Sequence, residues 1–229
     1  MSSTASTALA SFIDHTLLKA EATPDEVRKF CKEARIHGFA SVCVNPWMVE
    51  LARDALNGSP VMAICVVGFP LGANITASKV AEAAECIRRG AQELDMVVNL
   101  GALRCGDVAY VTADIRTVVE AAQGTPVKVI LETAALTDDE KRRGAEAAMA
   151  AGAAFVKTST GFHSKGGATV ADVKLLRSVV GDRLGVKASG GIRTRDDVMA
   201  MISAGANRIG ASSSVQIVEG AAASAPGEY

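Results

Sequence analysis

The chain has 229 residues with 24 Lys and Arg against 25 Asp and Glu. With no block of like charge, it lacks the electrostatic footprint of a nucleic-acid or anionic-membrane binder, which leaves a small molecule as the expected partner. No apolar run approaches the ~18 residues of a membrane span, and residues Met1 to Ala10 have neither a basic n-region nor an apolar h-region, so a cytoplasmic protein is expected.

The length suits one domain over residues 1–229, and 49% hydrophobic with only 4% aromatic residues implies a core of Ala, Val, Leu and Ile spread over many small elements, as in α/β proteins. Cys31, Cys43, Cys65, Cys86 and Cys105 are odd in number and never form a C-x-x-C pair, so they read as reduced thiols and not as a disulfide framework or zinc knuckle.

In chain order, a first short apolar run covers Phe12 to Thr16. Thr23-Pro24-Asp25-Glu26 then opens a helix, with an N-cap, a proline at the first helical position and a capping-box glutamate. From here one pattern recurs: an Ala-rich amphipathic helix, a glycine stop, and a β-branched run. It is plain at Glu33 to Val44, Ile87 to Val98, Met149 to Ser159 and Ile202 to Ser212, where each glycine sits at a helix-to-strand junction that favours positive φ. Further runs at Val61 to Val67, Val127 to Glu132 and Gly185 to Ser189 complete eight strands, and Thr137 with Glu140 repeats the capping box. Continuous Val/Ile runs without polar alternation mark strands covered on both faces, hence a parallel sheet. Eight such units favour a closed (β/α)8 TIM barrel over an open doubly wound sheet. Gly220 to Gly227 reads as a small-residue linker, so a flexible tail is expected over about residues 219–229, ending in Tyr229.

The informative residues are polar ones inside strands. Lys128, Lys157 and Lys187 each follow a valine in a predicted strand, where an ammonium must be paired or lose its proton. Pairing with a barrel carboxylate such as Glu132 or Asp95 would satisfy any one of them. In a barrel, however, strands six and seven are neighbours, and Lys157 and Lys187 would meet near the mouth. A neighbouring cation and desolvation favour the neutral amine, the nucleophile that condenses with a carbonyl. Asp95 and Asp14 are carboxylates within apolar strands, suited to moving the protons such chemistry requires. His15, His37 and His163 show no two-ligand spacing, so no metal site is expected, and His15 reads as structural.

After the seventh strand comes Ser189-Gly190-Gly191-Ile192-Arg193, and after the eighth Gly210-Ala211-Ser212-Ser213-Ser214. Loops at these positions of a barrel commonly bind phosphate through backbone N–H groups, and Gly161 adds a third side. The alternative is ordinary flexible loops.

Asp14-His15-Thr16-Leu17-Leu18, Val67-Gly68-Phe69-Pro70-Leu71-Gly72, and the segments VKVILET, FVKTSTGF, GVKASGGIRT and RIGASS together resemble the deoxyribose-phosphate aldolase family from about Phe12 to Ser213. The resemblance implies reversible cleavage of 2-deoxy-D-ribose 5-phosphate to D-glyceraldehyde 3-phosphate and acetaldehyde, with no metal or organic cofactor and, by the habit of the family, a homodimer. It implies that Lys157 is the Schiff-base lysine, Lys187 the lysine that tunes it, Asp95 the acid-base carboxylate, and Tyr229 a mover of the enamine proton. Substrate and phosphate contacts fall on Thr16, Thr160, Gly161, Gly190, Gly191, Arg193, Gly210, Ser212 and Ser213, while Lys128 has no assigned role. One departure is Phe162, where some relatives carry a lysine, which shifts phosphate binding toward backbone dipoles and Arg193. Two competing readings are a transaldolase-like transfer of a three-carbon ketose unit and a phosphosugar-binding barrel without turnover.

Overall fold

The computed structural model describes residues 9–220. Eight parallel strands, β1 (Ile13–Leu17), β2 (Ser41–Val44), β3 (Met62–Val67), β4 (Glu93–Val97), β5 (Val127–Ile130), β6 (Phe155–Lys157), β7 (Gly185–Ser189) and β8 (Arg208–Ala211), form a closed barrel in chain order. Pairing of β1 with β8, Asp14 opposite Gly210, excludes the open sheet. The returning helices are α1 (Pro24–His37), α2 (Val49–Leu56), α3 (Thr76–Arg88), α4 (Leu100–Arg104), α5 (Val108–Ala121), α6 (Asp138–Ala150), α7 (Val170–Val180), α8 (Arg195–Ser203) and α9 (Ser214–Glu219). The architecture is a (β/α)8 TIM barrel. No helix among the described residues is long and apolar enough to cross a membrane.

Local chemistry sets the element ends. Thr23 and Glu26 form a reciprocal capping box ahead of α1, Thr137 and Glu140 do the same ahead of α6, and Thr194 with Asp197 adds a third ahead of α8. The four repeat glycines, Gly38, Gly90, Gly152 and Gly205, all take positive φ where a helix turns into the next strand. The expected run Val127 to Glu132 stops being strand at Ile130. Glu132 adopts φ 60°, which turns its carboxylate toward the loop after β6. At the other end of the chain Glu219 still belongs to α9, and Gly220 caps that helix in the left-handed region.

Each strand has two faces. Val42, Val44, Ala63, Cys65, Leu94, Met96, Val129, Val156, Val186 and Ile209 point outward into one core shared with the helices. Complete burial of one such Val, Leu or Ile contributes roughly 1.5–3 kcal/mol. The inward face divides in two. Cys43, Ile64 and Val66 on β2 and β3, with Leu18, form a small apolar cluster. The remaining strands send charged groups into the same space: Asp14, Glu93, Asp95, Lys128, Lys157, Lys187 and Arg208.

At the N-terminal ends of the strands the Phe155 ring covers this charged half. Its centroid lies 5.8 Å from Lys128 Nζ and 5.6 Å from the Arg208 guanidinium carbon. The ring fits because its neighbour across β6 and β7 is Gly185, where an added Cβ would stand 2.1 Å from the ring. Gly185→Ala should therefore cost about 1–3 kcal/mol by overpacking. Thermal unfolding measures this, and the double variant with Phe155→Leu should recover part of the loss; full stability in Gly185→Ala alone would contradict the packing described.

Candidate active site

Asp95, in the middle of β4, holds three lysines. Its Oδ1 accepts from Lys128 Nζ at 2.9 Å, and its Oδ2 accepts from both Lys157 Nζ and Lys187 Nζ at 2.7 Å. The parallel register makes this necessary, because it sets Asp95 opposite Lys128 and Lys157 opposite Lys187. Lys187 also donates to Asp14, which accepts from Arg208 at 2.8 Å and from the Ser41 hydroxyl at 2.6 Å. Arg208 reaches on to Glu93 at 3.1 Å, and Glu93 pairs with Lys128.

These contacts close a ring of alternating sign: Asp95, Lys128, Glu93, Arg208, Asp14, Lys187 and back to Asp95. Every member has two oppositely charged neighbours within the ring. Lys157 hangs outside it with one carboxylate oxygen, already shared with Lys187. Four cations thus face three carboxylates, and loss of one proton from Lys157 balances them.

The titration tendencies follow this arrangement. Burial disfavours the ammonium of Lys157 and nearby Lys187 adds repulsion, which together outweigh Asp95 and bring its pKa below the usual lysine value. Burial acts on Lys187 as well, but Asp14 and Asp95 overcome it and hold that lysine above its ordinary range. Asp14 and Asp95 resist burial through the surrounding cations and stay well below the usual carboxylate range. Cys43, also inward-facing, is pushed up to about 11 by burial and remains a thiol at neutral pH. Exposure points the same way as charge: Lys128 and Lys187 are fully buried, whereas Lys157 keeps 2%. Of the pair Lys157 and Lys187, the lysine that keeps some access is also the one whose ammonium is disfavoured.

A cleft of about 510 Å³ opens at the C-terminal ends of the strands. Its walls include Gly161 and Phe162 after β6, Gly190, Gly191 and Arg193 after β7, Ser212 and Ser213 after β8, and Lys19 with Glu21 after β1. The β6 and β7 loops come into backbone contact where glycine allows it, since a Cβ on Gly167 would lie 2.3 Å from the Gly190 carbonyl. They are also hydrogen-bonded, with the Ser189 hydroxyl donating to the Ser159 carbonyl at 2.6 Å and the Ser189 N–H donating to the Thr158 hydroxyl at 3.1 Å. Phe69 meets Phe162 edge-on at 5.2 Å, joining the β3 loop to the same rim.

Comparison with known proteins gives the family. A family model described as DeoC/LacD family aldolase matches residues 8–223. The chain belongs to that family. A deoxyribose-phosphate aldolase of Caldanaerobacter subterraneus subsp. tengcongensis is 56% identical over 214 residues, covering 92% of each chain. One of Streptococcus sanguinis is 53% identical over 221 residues, covering 96% of this chain and 99% of the other. Among solved structures, a putative deoxyribose-phosphate aldolase from Coccidioides immitis superposes with a TM-score of 0.91 at 44% identity, over 93% of this chain and 85% of that one. A deoxyribose phosphate aldolase from Aeropyrum pernix, described as a unique tetramer, gives a TM-score of 0.85 at 36% identity, over 93% and 91%.

Within this aldolase barrel the expected site residues separate into two groups and a remainder. Lys157, Lys187 and Asp95 meet at one point inside the barrel, while Gly161, Gly190, Gly191, Arg193, Ser212 and Ser213 line the cleft above. Thr16, Thr160 and Gly210 are not among the residues that line it. The Thr16 hydroxyl donates to the Asp14 carbonyl, the Thr160 hydroxyl donates to Glu132, and Gly210 packs under Lys187, where a Cβ would stand 3.2 Å from Cε. Glu132 does not pair with a strand lysine, because its carboxylate is taken by the Thr160 N–H and hydroxyl. His15 is structural, stacked on Phe30 at 4.0 Å and bonded to Glu33 at 2.9 Å. Tyr229 lies outside the described residues.

Sequence reasoning missed Glu93 and Arg208. Both were marked by position: Glu93 lies two residues before Asp95, on the same strand face, and Arg208 opens the strand beside Lys187. Asp14→Asn tests the ring. Because the folded-state pKa of Asp14 is depressed, its contribution is fully present above the unfolded value of 3.8 and is lost as pH falls through the folded value. Asp14→Asn should thus be less stable than the wild type by about 3–5 kcal/mol near neutrality, since Lys187 and Arg208 lose a buried partner. Urea unfolding should show that gap narrowing below about pH 4, whereas a gap that does not change with pH would contradict the pairing.

Proposed function

We propose that this aldolase cleaves 2-deoxy-D-ribose 5-phosphate reversibly to D-glyceraldehyde 3-phosphate and acetaldehyde, through a Schiff base on Lys157. The observation that carries the proposal is that Lys157 is the odd cation outside a charge-balanced ring. Its neutral amine adds to C1 of the open-chain sugar, and the carbinolamine loses water to give an iminium. The iminium restores a positive charge beside Asp95, where a carboxylate is already in place to stabilise it. A base removes the C3 hydroxyl proton, the C2–C3 bond breaks, and the phosphorylated aldehyde leaves. The bond's electron pair is left as an enamine on Lys157. Protonation at C2 and hydrolysis release acetaldehyde.

In this reading Asp95 moves protons directly or through one water, and Lys187 keeps its charge and thereby disfavours a charge on Lys157. Tyr229 delivers the C2 proton. The substrate phosphate takes the cleft formed by Gly161, Gly190, Gly191, Ser212 and Ser213, with Thr16, Thr160 and Gly210 as further substrate contacts. Arg193 and Lys19 supply cations where Phe162 supplies none. The chemistry asks for no metal or organic cofactor. A cytoplasmic location and an assembly of two identical copies belong to the same reading.

Incubation with acetaldehyde followed by borohydride should add a reduced two-carbon group to Lys157, located by peptide mass spectrometry. Lys157→Ala and Lys157→Arg should both lower turnover by several orders of magnitude. Near-normal activity in either variant would remove Lys157 from the nucleophile role, and an adduct on Lys187 would exchange the two lysines. Transfer of a dihydroxyacetone unit without acetaldehyde release would support the transaldolase-like reading instead, and ligand binding with no trapped carbon would support a binding protein.

A further inference from the structure

Arg208 and Glu93 are the first residues of β8 and β4, at the end of the barrel opposite the cleft. Neither is in contact with Lys157, yet both are nearly buried, with side chains 14% and 7% exposed. Burying two charges at a barrel base is expensive, and packed apolar side chains would close that end at least as well. Their contacts run toward the reactive centre. Arg208 holds Asp14, which holds Lys187; Glu93 holds Lys128, which holds Asp95.

We propose that Arg208 and Glu93 are positioning residues that set the protonation of the Lys157 amine from the far end of the barrel, by fixing the net charge of the ring. This inference rests on Lys157 being the nucleophile. With both charges present, the ring holds three cations and three carboxylates, and Lys157 gains nothing from keeping its proton. Without the Arg208 charge the ring is one charge negative, and a proton on Lys157 restores balance. Without the Glu93 charge the ring is one charge positive, and Lys157 loses its proton more easily. The two substitutions therefore push in opposite directions.

The groups facing this space from every strand are Asp14 on β1, Cys43 on β2, Glu93 and Asp95 on β4, Lys128 on β5, Lys187 on β7 and Arg208 on β8. Strand β3 contributes only apolar side chains, Met62, Ile64 and Val66. Cys43 stays neutral, so nothing on the β2 and β3 side offsets a change in the ring.

The test is the acid limb of kcat/KM against pH for cleavage of 2-deoxy-D-ribose 5-phosphate, which reports the essential base of the free enzyme. Arg208→Gln should move its midpoint up by about half a unit or more, and Glu93→Gln should move it down by a similar amount. Half a unit is about a threefold change in rate on the acid side. Arg208→Lys should restore the wild-type midpoint. If Arg208→Gln does not fold, Glu93→Gln and Arg208→Lys still decide the matter, since one must lower the midpoint and the other leave it. Unmoved midpoints, or shifts of the same sign in both Gln variants, would overturn the inference, because a merely structural role changes the size of kcat/KM without signed midpoint shifts. Borohydride trapping of acetaldehyde on wild-type Lys157 separates the two levels. An adduct there, with unmoved midpoints, refutes the role of Arg208 and Glu93 alone. No adduct refutes the nucleophile itself and this inference with it.

Discussion

Seven charged side chains share the inside of one barrel, and their coexistence depends on Asp95 accepting three lysines at once. A buried ammonium without a carboxylate is prohibitively costly, so each lysine must either find a partner or give up its proton. With three carboxylates available, six charges pair completely and one cation is left over. The remainder is Lys157. Its reactivity thus follows from a count of charges as well as from its own surroundings.

Barrel closure is what makes the count work. Asp14 on β1 can bond Lys187 on β7 and Arg208 on β8 because β1 and β8 are hydrogen-bonded neighbours, and in an open sheet they would be the two edges. The apolar half of the interior has a complementary part. Ile64, Val66 and the neutral Cys43 fill that half with apolar groups, and among the described residues Asp95 is the one acid paired with Lys157. Above this centre, the glycine contact between Gly167 and Gly190 draws the β6 and β7 loops together, so the loops that follow Lys157 and Lys187 also wall the cleft.

Much of this was legible in the sequence because it is local. Four copies of the helix–glycine–strand repeat, with four further apolar runs, gave the eight strands, and the capping boxes at Thr23 and Thr137 marked helix starts that the structure reproduces. The meeting of Lys157 with Lys187 followed from their being on adjacent strands. The ring was not legible, since it needs side-chain partners from five strands, and no spacing along the chain states that Arg208 reaches Asp14, 194 positions away. Glu132 shows the same limit. It looked like a partner for a strand lysine, but its left-handed backbone turns the carboxylate to Thr160. Asp95 looked like one carboxylate for one lysine, and only the folded register reveals that it serves three.

The most direct measurement of the central claim is the titration of the individual lysines, by NMR of protein labelled with ¹³C at lysine Cε and assigned with Lys157→Arg and Lys187→Arg. Lys157 should titrate below the ordinary lysine value of 10.5, while Lys187 should remain protonated beyond it. The reverse order, or two lysines titrating together near the ordinary value, would contradict a charge-balanced ring with Lys157 outside it.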